Sequence, residues 1–210
     1  GITLINRCQA WTQPLWLVLL ITPYIFVLGA APEKLHELTG FVGEGTAGFD
    51  LLMFGAAASL VLSMVLQVGE QIDFLRFLPQ RTKSNRRAWT ASLLIAGPGW
   101  IGFGALRMLG GALLAFVAIK ALVPAAHALE PATMYLHAFG YVFDSPQLAL
   151  VAMTLLVVLS QLKINTTNAY AGSLAWSNFF ARVTHSHPGR VVWVVFNVVI
   201  ALLLMQLGVF

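Results

Sequence analysis

Long runs of apolar residues, separated by short polar segments, dominate the chain. A run of about 18 or more mostly apolar residues is long enough for a helix to cross the hydrocarbon core of a bilayer. Five runs reach or approach this length, at residues 11–30, 51–74, 100–121, 147–181 and 191–210. The pattern predicts an all-α integral membrane protein with five transmembrane helices in a single membrane domain, 1–210.

Composition strengthens this prediction and excludes other classes. The chain is 59% hydrophobic and 10% charged, whereas soluble domains carry roughly 25% charged residues. The net charge of +4 does not predict nucleic-acid binding, because the basic residues cluster at the ends of the apolar runs. The single cysteine, Cys8, excludes a disulfide framework and a cysteine-based metal site. No cofactor is expected.

The distribution of basic residues predicts an orientation. Lysine and arginine concentrate in cytoplasmic loops of membrane proteins. Most of the acidic residues fall on one predicted side, together with Lys34 and Lys120. The opposite side holds Arg7, Arg76, Arg81, Lys83, Arg86, Arg87, Arg182 and Arg190. We therefore expect a multi-pass protein of the cell inner (plasma) membrane, with the N-terminus and the loops 76–87 and 182–190 in the cytoplasm.

The fourth apolar run is too long for a simple span. Residues 147–181 would form a helix of about 50 Å, against a hydrocarbon core of about 30 Å. The helix must therefore tilt strongly, protrude or break. Near its middle lies the polar stretch "SQLKINTTNAYAGSLAW", residues 160–176.

Helical spacing sorts the polar residues of this run into neighbouring faces. Ser160, Lys163 and Thr167 share one face, and Asn165 and Asn168 form a pair beside it. A charged side chain inside the bilayer costs about 2.5–3.5 kcal/mol, so these residues predict an inner, partly hydrated cavity. The alternative is that they bond neighbouring helices together. For the lysine, that alternative requires a carboxylate, a cluster of carbonyls or water.

The second run carries a similar polar face. Ser59, Ser63, Gln67 and Glu70 follow one another at helical spacing, and Gly69 marks a point where the helix could loosen. They are candidates for a binding surface within the membrane.

Several charged residues can have a structural role and not a role in binding. Glu70 and Asp73 can instead reach the basic interface and pair with Arg76 or Arg81. Arg107 in the third run can snorkel towards the cytoplasm or pair with one of the two carboxylates.

The chain offers no catalytic constellation, so we expect no enzymatic activity. It lacks a plausible pair of nucleophile and base, a Gly-rich phosphate loop and a metal-ligand cluster. His185 and His187 flank a serine ahead of Pro188, which favours a loop turn over a metal site.

Two segments resemble a known family, the nucleobase–cation symporters of the purine–cytosine permease and hydantoin transporter group. "IDFLRFLP" at 72–79 is similar to the family's "P-[DN]-F-T-R-[FY]" signature after the sixth helix. "INTTNAYAGSL" at 164–174 is similar to the "TN-x-x-N-x-Y" run of the eighth helix. The resemblance covers nearly the whole chain as helices five to nine of a larger transporter. A start at Gly1 and an end at "LLLMQLGVF" agree with a fragment, whose partners would include the remaining helices.

The resemblance implies a leucine-transporter fold, built from two inverted five-helix repeats, with substrate bound near the midplane. By motif position, the substrate contacts would be Ser63, Met64 and Asn168. An asparagine amide suits a nucleobase or hydantoin because it offers both a donor and an acceptor. Gln67 is a further candidate from its place on the Ser63 face.

One departure from the family concerns the ion. Sodium-coupled members carry two hydroxyl residues just before the "TN" run, where this chain has Lys163 and Ile164. We expect Lys163 to replace the ion, either as a fixed cation or as a group that exchanges protons. Thr167 and Glu70 complete the candidate ion-site or coupling residues.

Three functions remain open from the sequence. The first is a secondary transporter of a nucleobase-like or related small solute, working by alternating access without sodium coupling. The second is a transporter-like sensor that signals to a downstream domain. The third is a structural membrane bundle in which the polar residues only hold helices together.

Overall fold

The computed structural model describes residues 2–41, 48–185 and 189–208. Within these ranges the chain is entirely helical apart from turns and short connections. The helices are α1 (Ile2–Ala30), α2 (Glu33–Thr39), α3 (Leu51–Leu75), α4 (Arg86–Ala96), α5 (Gly99–Lys120), α6 (Ala125–Ala128), α7 (Pro131–Phe139), α8 (Pro146–Thr184) and α9 (Arg190–Gln206).

Three of the described helices are long and apolar enough to cross a membrane. They contain Thr3–Ala30, Gly99–Lys120 and Pro146–Thr184. Shorter apolar stretches lie in α3 and α9. Large apolar side chains are exposed along these helices, including Trp11 at 85% and Leu109 at 69%. Exposed apolar surface on this scale indicates contact with lipid, because a water-facing helix would carry polar side chains there. The chain therefore has the character of a membrane protein.

The chain forms two compact units. The terminal unit contains Gly1–Leu20 and Thr154–Phe210, and the central unit contains Ile21–Met153.

The core of the central unit lies where α1, α5 and α7 meet. Its buried residues are Val27, Leu113, Leu114, Val117 and Ala138. At its edge the hydroxyls of Tyr24 and Tyr135 lie 3.3 Å apart, with the rings edge to face. Gly110 makes room for this pair, because a Cβ atom there would lie 2.9 Å from the Tyr24 hydroxyl.

A glycine and a proline separate α4 from α5, within the sequence "GPG" at 97–99. Gly97 ends α4 with φ −93° and ψ −105°, and Pro98 precedes the first residue of α5. A Cβ atom at Gly97 would lie 2.7 Å from the carbonyl oxygen of Leu93, so only glycine fits this close turn. The turn sets the direction in which α4 leaves the neighbouring helix.

The structure differs from the sequence prediction in the extent of some elements. Helix α1 begins at Ile2 rather than at Trp11 and continues through Pro14 and Pro23. Part of the connection between the first two predicted spans, which the sequence prediction leaves unassigned, forms α2.

Helix α8 is continuous through its polar stretch, so the predicted long run does not break. The Thr166 hydroxyl donates to the carbonyl of Leu162 at 2.8 Å, and the Thr167 hydroxyl donates to that of Ile164 at 2.9 Å. These bonds satisfy both hydroxyls inside the helix. With 39 residues the helix is about 58 Å long, so tilting and protrusion remain the ways to fit a bilayer.

Candidate functional site

Lys163 lies in the terminal unit and binds α1 through its ammonium group. Its Nζ donates to the carbonyl oxygen of Gln9 at 3.1 Å and to the Thr12 hydroxyl oxygen at 3.2 Å. It also lies 5.9 Å from the centre of the Trp16 ring. The ammonium is thus held by two oxygen acceptors and an aromatic face.

The contact is reciprocal. The Gln9 side-chain amide donates to the carbonyl oxygen of Lys163 at 2.9 Å, and the Trp16 indole N–H donates to the Ser160 hydroxyl at 2.8 Å. We call Gln9, Thr12, Trp16, Ser160 and Lys163 the lysine clamp. Its polar atoms bond one another across two apolar helices, as expected where lipid offers no partners.

Helical spacing explains why these residues meet. Gln9, Thr12 and Trp16 stand at i, i+3 and i+7 of α1, while Ser160 and Lys163 stand at i and i+3 of α8. The polar face of α1 therefore lies against the polar face of α8. The Thr12 hydroxyl also donates to the carbonyl oxygen of Cys8 at 2.7 Å, which turns its lone pairs towards the ammonium.

The other predicted residues of α8 lie outside the clamp. The Thr167 hydroxyl donates to the carbonyl oxygens of Lys163 and Ile164, at 3.0 and 2.9 Å. Ile164, Asn165 and Asn168 are exposed. The predicted division into a lysine face and a neighbouring asparagine pair is therefore present, and among the described contacts it is the lysine face that bonds α1.

The predicted residues of α3 belong to the central unit. Ser63 is exposed, and its hydroxyl donates to the carbonyl oxygen of Leu60 at 2.7 Å. The side chains of Met64, Gln67 and Glu70 lie outside the described residues, although their backbone is part of α3. The predicted substrate and coupling roles of these residues stay predictions.

The predicted ion pairs of Glu70, Asp73 and Arg107 also stay predictions. The side chains of Glu70 and Asp73 are not among those described, and Arg107 is exposed on α5. His185 directly follows α8 and has a positive φ of 54°, as residues in turns can, while His187 lies outside the described residues. In the described part of the chain, no group of three or more His, Cys, Asp or Glu residues could hold a metal ion.

An aromatic cluster joins α8 to α9 in the terminal unit. Its members are Trp176, Phe179, Phe180, Trp193 and Phe196. The Phe180 and Trp193 rings stack with centroids 4.7 Å apart and planes 13° apart. The sequence signal for this cluster is the spacing of its aromatic residues, which recur three or four positions apart along each helix and are not among the predicted site residues.

Beside the cluster, one polar bond crosses the same helices. The Trp176 indole N–H donates to the Asn197 side-chain oxygen at 3.2 Å. Asn197 packs against Gly172 so closely that a Cβ atom at position 172 would lie 2.6 Å from its Oδ1. A glycine is therefore part of the α8–α9 contact.

The chain matches no protein-family model, no curated protein and no solved structure. The resemblance to nucleobase–cation symporters accordingly stays a prediction from the two quoted segments.

Proposed function

We propose that this chain is part of a secondary transporter for a nucleobase-like or related small solute, working by alternating access without sodium coupling. The observation that carries the proposal is the position of the Lys163 ammonium against the oxygens of Gln9 and Thr12, within a membrane-length helix. Helices that carry a buried charge in the membrane usually do so for function.

The contacts of Lys163 support its role as a substitute for a bound cation. A backbone carbonyl and a threonine hydroxyl are hard oxygen ligands of the kind that alkali and alkaline-earth cations take. The ammonium occupies both oxygens. A second cation at the same oxygens would meet strong repulsion, because like charges a few ångströms apart interact strongly in a low-dielectric setting. A fixed charge therefore supports a mechanism that does not depend on sodium.

The exposed amide of Asn168 supports a solute-binding role for the neighbouring face of α8. It presents a donor and an acceptor from a helix that is otherwise largely apolar, which suits the edge of a planar heterocycle. The resemblance adds Ser63, Met64 and Gln67 as further substrate contacts, and these remain predictions.

Uptake by the full-length protein in proteoliposomes tests the proposal. Labelled purines, pyrimidines, hydantoin and allantoin would be supplied with and without sodium or proton gradients. We expect uptake without a sodium gradient and a loss of about tenfold or more in Asn168→Ala, since an unpaired polar group in a site costs about 1–3 kcal/mol. Asn178→Ala is the matched control because Asn178 is also an exposed asparagine of α8 and lies ten residues, about 15 Å, beyond Asn168. Sodium-driven uptake by the unmodified protein would contradict the role of Lys163.

The same contacts favour a second candidate, a transporter-like sensor. A fixed ammonium does not depend on an ion gradient. A receptor that binds its solute without transporting it does not depend on an ion gradient either. The discriminating result is specific, saturable binding of a labelled solute that Asn168→Ala abolishes, without uptake under any gradient. Such a result would favour the sensor over the transporter.

A further inference from the structure

A second candidate site lies around the loop before α4 and the first turns of that helix. Four exposed cations, Arg81, Lys83, Arg86 and Arg87, surround two adjoining open clefts of about 580 and 420 Å³. Arg81 and Arg86 line both clefts, and the Arg81 guanidinium lies 5.6 Å from the centre of the Trp89 ring. We call these four cations and the two clefts the arginine cleft.

Hydrogen bonds hold the loop that carries these cations in one shape. The Asn85 side chain accepts from the backbone N–H of Thr82 at 2.7 Å and donates to the carbonyl oxygen of Gln80 at 2.9 Å. The Trp89 indole N–H donates to the carbonyl oxygen of Pro79 at 2.9 Å. A preformed loop loses less conformational entropy when it binds a ligand.

Apolar side chains extend from the charged end of the same helix. Helix α4 begins with two arginines and continues as "AWTASLLIA". Leu94, which also lines the larger cleft, and Ile95 are each 56% exposed. The helix contacts α3 and the membrane-length α5, so its exposed apolar end lies next to hydrophobic helices. A basic end followed by an apolar end suits the boundary between lipid headgroups and acyl chains, where the charges stay near the headgroups.

We propose that the arginine cleft binds the phosphate headgroup of an anionic phospholipid, with the acyl chains along Leu94 and Ile95. Arginine guanidinium groups form paired hydrogen bonds with phosphate oxygens, and clusters of four or more basic residues beside a membrane helix attract anionic lipids. Among the described side chains, none of the four cations forms an ion pair that would compete with a phosphate. The apolar surface beside the cleft favours a lipid over free phosphate, because phosphate has no apolar group that could contact it.

Native mass spectrometry of the detergent-purified full-length protein tests this site. Phosphatidylglycerol and phosphatidylcholine with identical acyl chains would be titrated separately, and phosphatidylglycerol also in the presence of excess inorganic phosphate. We expect tighter binding of phosphatidylglycerol that persists in phosphate. Removing two charges in Arg86→Gln with Arg87→Gln should weaken it about 20–30-fold, because each basic residue near a lipid surface contributes a factor of roughly five.

Two further variants separate the site from general effects. Arg86→Lys with Arg87→Lys keeps the charges and should lose only a few-fold in affinity, which also shows that changes at these positions leave the protein folded. Arg7→Gln with Arg182→Gln removes two other exposed arginines, expected on the same side of the membrane, and should leave binding unchanged.

Three outcomes would overturn the proposal. They are equal affinity for the two lipids, an equal loss in the Arg7 and Arg182 control, or displacement of phosphatidylglycerol by inorganic phosphate. The second would indicate general attraction of a basic surface, and the third a phosphate site that does not require a lipid.

Discussion

Lys163 retains a charge in a membrane-length helix because its partners offset much of the cost of burying it. Central charges cost about 2.5–3.5 kcal/mol on insertion scales, while hydrogen bonds to charged groups contribute about 1.5–3 kcal/mol each. The carbonyl of Gln9 and the hydroxyl of Thr12 accept two such bonds, and the Trp16 ring adds a cation–π contact. The cost of burying the charge and the stabilisation from its contacts are similar in size. The stability of the lysine clamp should therefore depend on every acceptor being present.

We expect removal of one acceptor to be more harmful than removal of the charge itself. Thr12→Val leaves the ammonium with one partner fewer and should lower the free energy of unfolding by about 1–3 kcal/mol. Lys163→Met keeps a long side chain without the charge and should change it by less than about 1 kcal/mol. Denaturant unfolding in detergent measures both.

The matched control for Thr12→Val is Thr166→Val, because the Thr166 hydroxyl bonds only the backbone of its own helix. A loss in Thr12→Val no larger than in this control would contradict the clamp. A loss in Lys163→Met as large as in Thr12→Val would mean that the lysine stabilises the fold more than its burial costs.

Tyr135 should make stability sensitive to alkaline pH. Partial burial, helped by the hydrogen bond with Tyr24, raises the pKa of the Tyr135 phenol above its ordinary value of about 10. Above that pH the unfolded phenol ionises while the folded one stays neutral, so the unfolded state binds fewer protons and stability falls as pH rises. Thermal unfolding between about pH 9 and 11 should show a smaller decline in Tyr135→Phe than in the unmodified protein. Identical declines would contradict this assignment.

At the scale of helices, much of the architecture can be predicted from the sequence. Apolar runs predict α5 and α8 nearly to their ends, because continuous hydrophobicity and helix formation coincide in membrane segments. The division of α8 into a lysine face and an asparagine pair also follows from helical spacing.

The partners of those faces cannot be predicted in the same way. Gln9 and Lys163 are separated by 154 positions, and no local pattern specifies which distant polar face a residue will bind. Helix α2 escapes prediction for another reason, since seven residues carry too little periodicity to distinguish a helix from a polar loop.

The contact between α8 and α9 should depend strongly on one aromatic residue. Trp176 contacts three rings of the aromatic cluster and donates to Asn197. Trp176→Ala should lower the free energy of unfolding by about 2–4 kcal/mol, somewhat less than for a fully buried tryptophan. Phe179→Ala is the control, since Phe179 is 56% exposed, and it should cost about 1 kcal/mol or less. Equal losses would contradict a specific role for Trp176.

At the scale of the whole molecule, the distribution of basic residues predicts which side of the membrane each connection occupies. The single cysteine of the chain, Cys8, is exposed and lies near the end of α1 that is predicted to be cytoplasmic. A membrane-impermeant thiol reagent applied to intact cells should leave it unlabelled.

Two further positions complete the test of orientation. In a protein otherwise lacking cysteine, Glu130→Cys should be labelled from outside, whereas Lys83→Cys should react only after the membrane is permeabilised. Both native side chains are exposed, so burial would not confuse the comparison. Labelling of Lys83→Cys in intact cells would reverse the predicted topology.

The close approach of Gly172 to Asn197 has a consequence for how this chain can diverge over evolutionary time. A larger residue at 172 would push away the amide that binds Trp176, so it is disfavoured while asparagine occupies 197. A smaller residue at 197 would first open the space, after which 172 becomes free to change. The two sites should therefore substitute in a preferred order, and descendants with alanine at 172 should carry a residue smaller than asparagine at 197.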